Sequence, residues 1–455
     1  MSWDKKQISI LTTVSVTSFL GTFLISSVNI ALPQIEEVFD MDAVSLSWII
    51  TAFLLASAIF LLPVGRLADL TGLRRVYRTG VTIFTIFTIL SAFSLSGWML
   101  ILFRFLKGIG ASMVMSTGPA ILVSSFPPTQ RGRVLGISVS AVYIGLALGP
   151  FAGGLITQQL GWRWIFIISA LLGLAALTLN VLYLREDKPF IYKSVIDIKS
   201  SLIYALALGS LVAGSSFITS LFGQLAVVAG LVFVVLFIYN EKLSGKPVID
   251  INLFVKNRLF AYSNIAALIN YSATFAIVFL LSLYLQKIKG LTAQEAGTVL
   301  LAQPLMMAIL SPLTGRLSDR VDPKIPATIG MLLCAIGLIF FSFLNSGTSI
   351  LFVVINLLLV GSGFGLFSSP NMNTIMSSVE KRQYGTATGI AATMRILGQI
   401  ISMTLVTLFF SLYIGQERIA VVDDELFLTG MKVSFIVFAA ICFCGVWFSY
   451  ARNSN

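Results

Sequence analysis

Arg104 and Lys107, in FRFLKGIGAS, and Arg395, in ATMRILGQ, are three cations set in stretches that are otherwise apolar. Such a charge costs about 2.5–3.5 kcal/mol at the centre of a bilayer, so its uses are few: pairing with an anion, taking part in a proton relay, or snorkelling to the interface. Carrying the proton itself falls to Asp, Glu or His. The chain has no His, and its 19 acids all fall in loops or at the margins of apolar stretches. Glu36 and Glu37, just beyond Pro33, are the acids best placed to turn inward. The same shortage removes most catalytic constellations of nucleophile, base and metal, so the chain does not read as an enzyme. Cys334, Cys442 and Cys444 lie in apolar stretches without metal or disulfide spacing and read as packing residues.

These groups are positioned by membrane spans. Of 455 residues, 57% are hydrophobic and 11% charged, with a mean hydropathy of +0.95, far from the composition of soluble domains. Fourteen apolar stretches approach or exceed the ~20 residues needed to cross a bilayer core, so the fold class is an all-α integral membrane protein. With the N-terminus inside, 22 of the 30 Lys and Arg residues, Arg452 among them, fall in inner loops and three lie in spans. Only Arg163, Lys287, Lys289, Arg418 and Lys432 fall outside, the asymmetry of cytoplasmic loops. Both termini are then cytoplasmic, in a multi-pass protein of the cell membrane. The net charge of +11 reads as this topological bias, not as a nucleic-acid surface. Trp48, Trp98, Trp162 and Trp164 fall at outer helix ends, as an interfacial belt does.

A charged turn is written twice, GRLADLTGLRR from residue 65 and GRLSDRVDPK from residue 315. Gly65, Arg66 and Asp69 match Gly315, Arg316 and Asp319, Pro119 matches Pro370, and Arg131 matches Arg382. The chain therefore divides into a six-helix unit (1–198), an inserted helix pair (199–241) and a second six-helix unit (242–455). Parallel copies of this kind are a transporter plan with a site near the midplane between them. The inserted pair carries few polar side chains and reads as peripheral packing or lipid contact. In GLALGPFAGG, Gly145, Gly149 and Gly153, with Gly154 beside them, make a face for close helix packing. Pro150 cannot donate to the carbonyl of Leu146, which makes the same face a bending point. The second copy has no equivalent: Ile396, Ile400 and Ile401 stand there.

Together these residues resemble the major facilitator superfamily, in its fourteen-helix drug/proton antiporter branch, over residues 8–450. The resemblance implies that the turn, Gly72 included, is a gating loop, in which Gly65 permits close helix approach, Asp69 is a charged latch and Arg74 and Arg75 stay cytoplasmic. The second copy, with Gly315, Arg316, Asp319 and Arg320, has Asp322 and Pro323 in place of Gly72 and Leu73, which implies a weaker latch. GLALGPFAGG is similar to the family's antiporter helix. FRFLKGIGAS resembles its fourth-helix motif, which makes Arg104 a cavity residue tied to coupling. FLISSVNIALP resembles its first-helix motif and keeps Asn29 and Pro33, but holds Leu24 where an Asp is usual.

The implied function is a secondary transporter that exports small amphiphilic, drug-like compounds by alternating access. It is driven by the proton gradient and carries no bound cofactor or metal. Its partners are the substrate and the bilayer, not nucleic acid, and nothing in the sequence specifies an oligomer. The missing acid leaves three readings open. Glu36 or Glu37 folds toward Arg104 and carries the proton; an anionic amphiphile or lipid pairs with Arg104, Lys107 or Arg395; or Lys107 and Arg395 snorkel and bind nothing.

Overall fold

The computed structural model describes residues 3–127, 130–183, 197–243, 251–318, 321–380, 384–415 and 417–452. The first six helices are α1 (Lys5–Phe39), α2 (Ala43–Thr71), α3 (Leu73–Ala92), α4 (Gly97–Ser125), α5 (Arg131–Leu160) and α6 (Arg163–Tyr183). The inserted pair is α7 (Ile198–Ser216) and α8 (Leu221–Leu243). After the short α9 (Ile251–Lys256) come α10 (Arg258–Thr274), α11 (Ile277–Leu283), α12 (Ala293–Leu300), α13 (Ala302–Leu317), α14 (Lys324–Phe341), α15 (Ile350–Ser377), α16 (Tyr384–Tyr413) and α17 (Asp424–Tyr450). Among the described residues, thirteen segments are long and apolar enough to cross a membrane. Helix α3 is the fourteenth, its first turns burdened by Arg74, Arg75 and Arg78.

Two spans that read as continuous in sequence are each broken in two. The span from residue 258 pauses between α10 and α11, where Ser402 Oγ accepts the Ala276 amide at 3.1 Å and so supplies a partner that the helix would otherwise provide. The next span begins at a capping box of Thr292 and Glu295 and is interrupted at Leu301 between α12 and α13.

Helices α1–α6 pack into one bundle and α10–α17 into another, with α1 on α5 and α6 and α10 on α16 and α17. The bundles meet along two seams. At one, α5 lies against α12 and α13; at the other, α2 lies against α16. Helix α7 packs on both α2 and α16, with Trp48 Nε1 donating to Ser216 Oγ at 2.9 Å. The inserted pair is thus not merely peripheral: α7 covers a seam with one face while exposing Leu202 and Leu206 on another, and α8 turns Leu225, Val228, Leu231, Val232 and Val235 outward.

An even number of crossings places both termini at one end, here called the terminal end, opposite a distal end. Trp162 departs from the expected interfacial belt. It is buried at the distal end, with Phe39 and Phe166 edge-on to its ring and the Arg163 guanidinium 4.4 Å from the ring centroid.

Candidate functional site

The glycine face of α5 fits onto α1. A Cβ at Gly145 would strike the Thr22 hydroxyl and the Phe19 carbonyl, at Gly149 the Cβ of Ser26 (2.5 Å), and at Gly153 the Cβ of Ser27 (2.6 Å). Hydroxyls of α1 use this proximity. Ser26 Oγ donates to the Leu146 carbonyl at 3.3 Å, the acceptor that Pro150 leaves without an amide donor. Thr22 Oγ1 donates to the Val142 carbonyl at 3.0 Å and Ser27 Oγ to the Gly149 carbonyl at 3.0 Å. The opposite side of the same helix meets the other half. A Cβ at Gly154 would collide with the Ala293 carbonyl, and one at Gly297 with the Pro150 carbonyl.

Pro33 works in the same way across the halves. It cannot donate to the Asn29 carbonyl, and Ser282 Oγ of α11 fills that acceptor at 2.7 Å. Gln286 Nε2 donates to the neighbouring Ile30 carbonyl at 3.0 Å. Further out, Glu36 Oε1 accepts the Ala420 amide at 3.0 Å. Arg418 Nη1 pairs with Asp40 Oδ1 at 2.7 Å, and the Ala43 amide donates to the Glu417 carbonyl at 2.9 Å. On the other seam the hydroxyls of Ser47 and Thr407 are 2.8 Å apart. These bonds close the distal end. Glu36 is 2% exposed and bonds to the facing loop, not to Arg104; Glu37 is exposed beside it.

Nearer the middle the packing loosens. Tyr143, Tyr271, Ser368 and Arg395 are each partly exposed, although they lie well inside their helices. At the terminal end the first gating turn is open. There, a Cβ at Gly65 would meet nothing within 4 Å. The close approach expected at Gly65 is therefore absent in this conformation, and Gly315 is the engaged copy, 2.8 Å from Ser369 Oγ by the same measure.

The remaining gating-loop residues divide. Gly72 turns with φ 101°, a conformation that favours glycine, and its amide donates to the Ala68 carbonyl at 2.9 Å. Arg66 and Arg75 are exposed, and Arg74 Nη2 reaches Ser125 Oγ at 3.4 Å. The second loop opens differently, with Asp322 Oδ1 accepting the Lys324 amide at 2.9 Å. The side chains of Asp69 and Arg316, and the whole of Asp319 and Arg320, lie outside the described residues.

Arg104 and Lys107 are not in the space between the halves. Both are fully buried inside the first bundle. Arg104 Nε donates to the Ile49 carbonyl at 2.9 Å, while both of its terminal nitrogens and Lys107 Nζ have no hydrogen-bond partner. Lys107 Nζ lies 4.6 Å from the Phe84 ring centroid and 5.8 Å from those of Phe53 and Phe166; the Arg104 guanidinium is 5.1 Å from Phe53. Aromatic faces offer a desolvated cation about 2 kcal/mol, against several for removing it from water. The cage offsets only part of that cost. Leu24 sits in the core at 1% exposure.

Arg452, counted in sequence among loop charges, is 2% exposed. It donates to Asn371 Oδ1 at 2.5 Å, Ser263 Oγ at 3.2 Å and Ser449 Oγ at 2.6 Å, tying α10, α15 and α17 together at the terminal end. Burial pulls its guanidinium down to about 10, opposed by the charge of Asp322.

A family model described as Major Facilitator Superfamily matches residues 14–403. The riboflavin transporter RibZ of Clostridioides difficile is 30% identical over 442 residues, which cover 97% of this chain and 96% of the relative. The multidrug resistance protein Stp of Mycobacterium tuberculosis is 30% identical, over 86% of this chain and 74% of its own. The lincomycin resistance protein LmrB of Listeria monocytogenes is 26% identical over 88% and 87%. Among solved structures, a bacterial homolog of the human lysosomal transporter Spinster, in an inward-facing and unoccupied conformation, superposes with a TM-score of 0.71. It shares 15% identity over 99% of this chain and 98% of that one, a likeness of fold alone.

Proposed function

Since the chain belongs to the Major Facilitator Superfamily, a family of transporters and not of enzymes, we propose that it exports small amphiphilic compounds by alternating access, driven by the proton gradient. On this reading both termini are cytoplasmic, the terminal end faces the cytoplasm, and the structure is the loading state. The observation that carries the reading is the contrast between a sealed distal end and part-exposed groups at mid-depth. The resistance proteins among its relatives agree with outward transport of drug-like molecules.

Coupling falls to Glu36. Its carboxylate holds the Ala420 amide across the halves, with Arg418 and Lys287 as the cations facing it. Protonation removes the charge that these groups bind and weakens the seal. A hydrogen bond to a charged group contributes about 1.5–3 kcal/mol, against about 0–1 kcal/mol for the more exposed Asp40–Arg418 pair, so Glu36 governs the latch.

Efflux of fluorescent amphiphiles from pump-deficient cells, with and without a protonophore, tests the whole reading. Retention of dye when the protonophore is present supports it. Efflux that is indifferent to the protonophore removes the proton gradient as the driving force, and accumulation faster than in control cells reverses the direction.

A second reading, export of anionic amphiphiles, is favoured by one observation: Arg104 and Lys107 are buried cations with no carboxylate bonded to them. Their field disfavours a lipophilic cation nearby.

A further inference from the structure

We propose that Arg395, Tyr271, Tyr143 and Ser368 form an anion-recognising subsite between the halves, which takes planar aromatic compounds bearing a carboxylate or sulfonate. The inference rests on the export reading and names the substrate class of its central site.

The four side chains come from α16, α10, α5 and α15, so both halves contribute. The hydroxyls of Tyr143 and Ser368 are 3.4 Å apart and form a contact between the bundles at mid-depth. The Tyr271 hydroxyl has Ser368 and Arg395 as neighbours. Its ring is fixed by Phe364, edge-on at a centroid distance of 5.3 Å. Gly398 sets the approach of the helices: a Cβ there would stand 2.6 Å from the Leu268 carbonyl and 2.7 Å from the Tyr271 Cβ. Helix α16 thus lies directly on α10, and Arg395, one turn earlier, comes beside Tyr271.

Charge then selects the ligand. The spans hold no acid at this depth, and Arg395 makes no ion pair among the described residues. A guanidinium presents paired donors that match the two oxygens of a carboxylate, and partial burial strengthens that contact relative to water. Two phenols and a phenyl ring offer faces and edges for an aromatic body. Arg104 adds charge of the same sign in the facing bundle. A planar cation meets the same rings but the opposite field.

Purified full-length protein in lipid nanodiscs is titrated with fluorescein, a planar anion, and with ethidium, a planar cation, following anisotropy; export of both dyes is measured in parallel. Wild type should bind fluorescein more tightly than ethidium. R395Q should weaken fluorescein by about tenfold or more, the scale of one charged bidentate contact, and leave ethidium unchanged or improved. R395K, which keeps the charge but loses the fork, should fall between, and Y271F should weaken fluorescein by about three- to fivefold. Because R395K and Y271F keep most of the volume, they carry the test if R395Q does not fold. Tighter binding of ethidium, or equal weakening of both dyes by R395K and Y271F, overturns the subsite. Fluorescein that binds through Arg395 but is not exported leaves the subsite standing and sinks the export reading. Export of fluorescein that is indifferent to all three variants does the reverse.

Discussion

The two seams between the bundles are made by related helices on opposite plans. At one, α5 meets α12 and α13 backbone to backbone, with Gly154 under the Ala293 carbonyl and Gly297 under that of Pro150. At the other, α16 has Leu405 at the position where the repeat places the counterpart of Gly154. There contact with α2 runs through side chains such as Ser47 and Thr407, beneath the cover of α7. A carbonyl set against a glycine leaves no slack, so that seam closes fully or not at all. Side chains change rotamer and tolerate sliding. The duplicated plan therefore carries one rigid contact and one compliant one, and the inserted pair shields the compliant one from lipid.

The comparison breaks most readily at the rigid seam. Gly154→Val and Gly297→Val place a branched side chain against backbone that cannot move aside. Overpacking of this kind costs about 1–3 kcal/mol or more, all of it in the distally closed state, so efflux should fall about tenfold or more while the protein still reaches the membrane. Gly65→Ala, at an open position, is the control and should leave the melting temperature within about 2 °C, as surface changes usually do. Equal losses in all three variants would show that the seam has no special rigidity.

A smaller effect is expected where α1 serves the carbonyls of α5. Ser26→Ala leaves the Leu146 acceptor unfilled, and Ser27→Ala that of Gly149 without its extra donor. Hydrogen bonds between membrane helices average about 0.6 kcal/mol, so each variant should lower thermal stability in detergent by about one degree or less in a chain of this length, with Ser26→Ala the larger. A reversed order would mean that Pro150 leaves no unmet acceptor.

The smallest effect is assigned to the exposed pair of the latch. Asp40→Asn should change efflux less than about twofold, and the change should vanish in high salt. A large, salt-independent loss would move the weight of the latch from Glu36 to Asp40.

The spans, their number and the repeat were readable because hydropathy and matched loops are local signals. The glycine face of α5 was readable as a packing surface, but its partners were not, since they belong to α1 and α12, far away in the chain. The hydroxyls of Ser26 and Ser282 gain meaning only beside the carbonyls that Pro150 and Pro33 release. Arg104 and Lys107 were visible as costly charges, yet their seclusion depends on Phe53, Phe84 and Phe166 from three different helices. Arg452 looked like a loop charge because burial at a helix end follows from what packs over it. The central tyrosines gave no signal at all: an aromatic residue in an apolar span is unremarkable until a second half faces it.

The central claim is that protonation of Glu36 loosens the distal closure. Spin labels at Val38→Cys and Val421→Cys, exposed positions on the two sides of the latch, read this directly by pulsed electron resonance after Cys444, the exposed native thiol, is changed to Ser. The account predicts a short distance at pH 8, a longer or broader one at pH 5, and the longer one already at pH 8 in Glu36→Gln. Distances that ignore both pH and this substitution would contradict it.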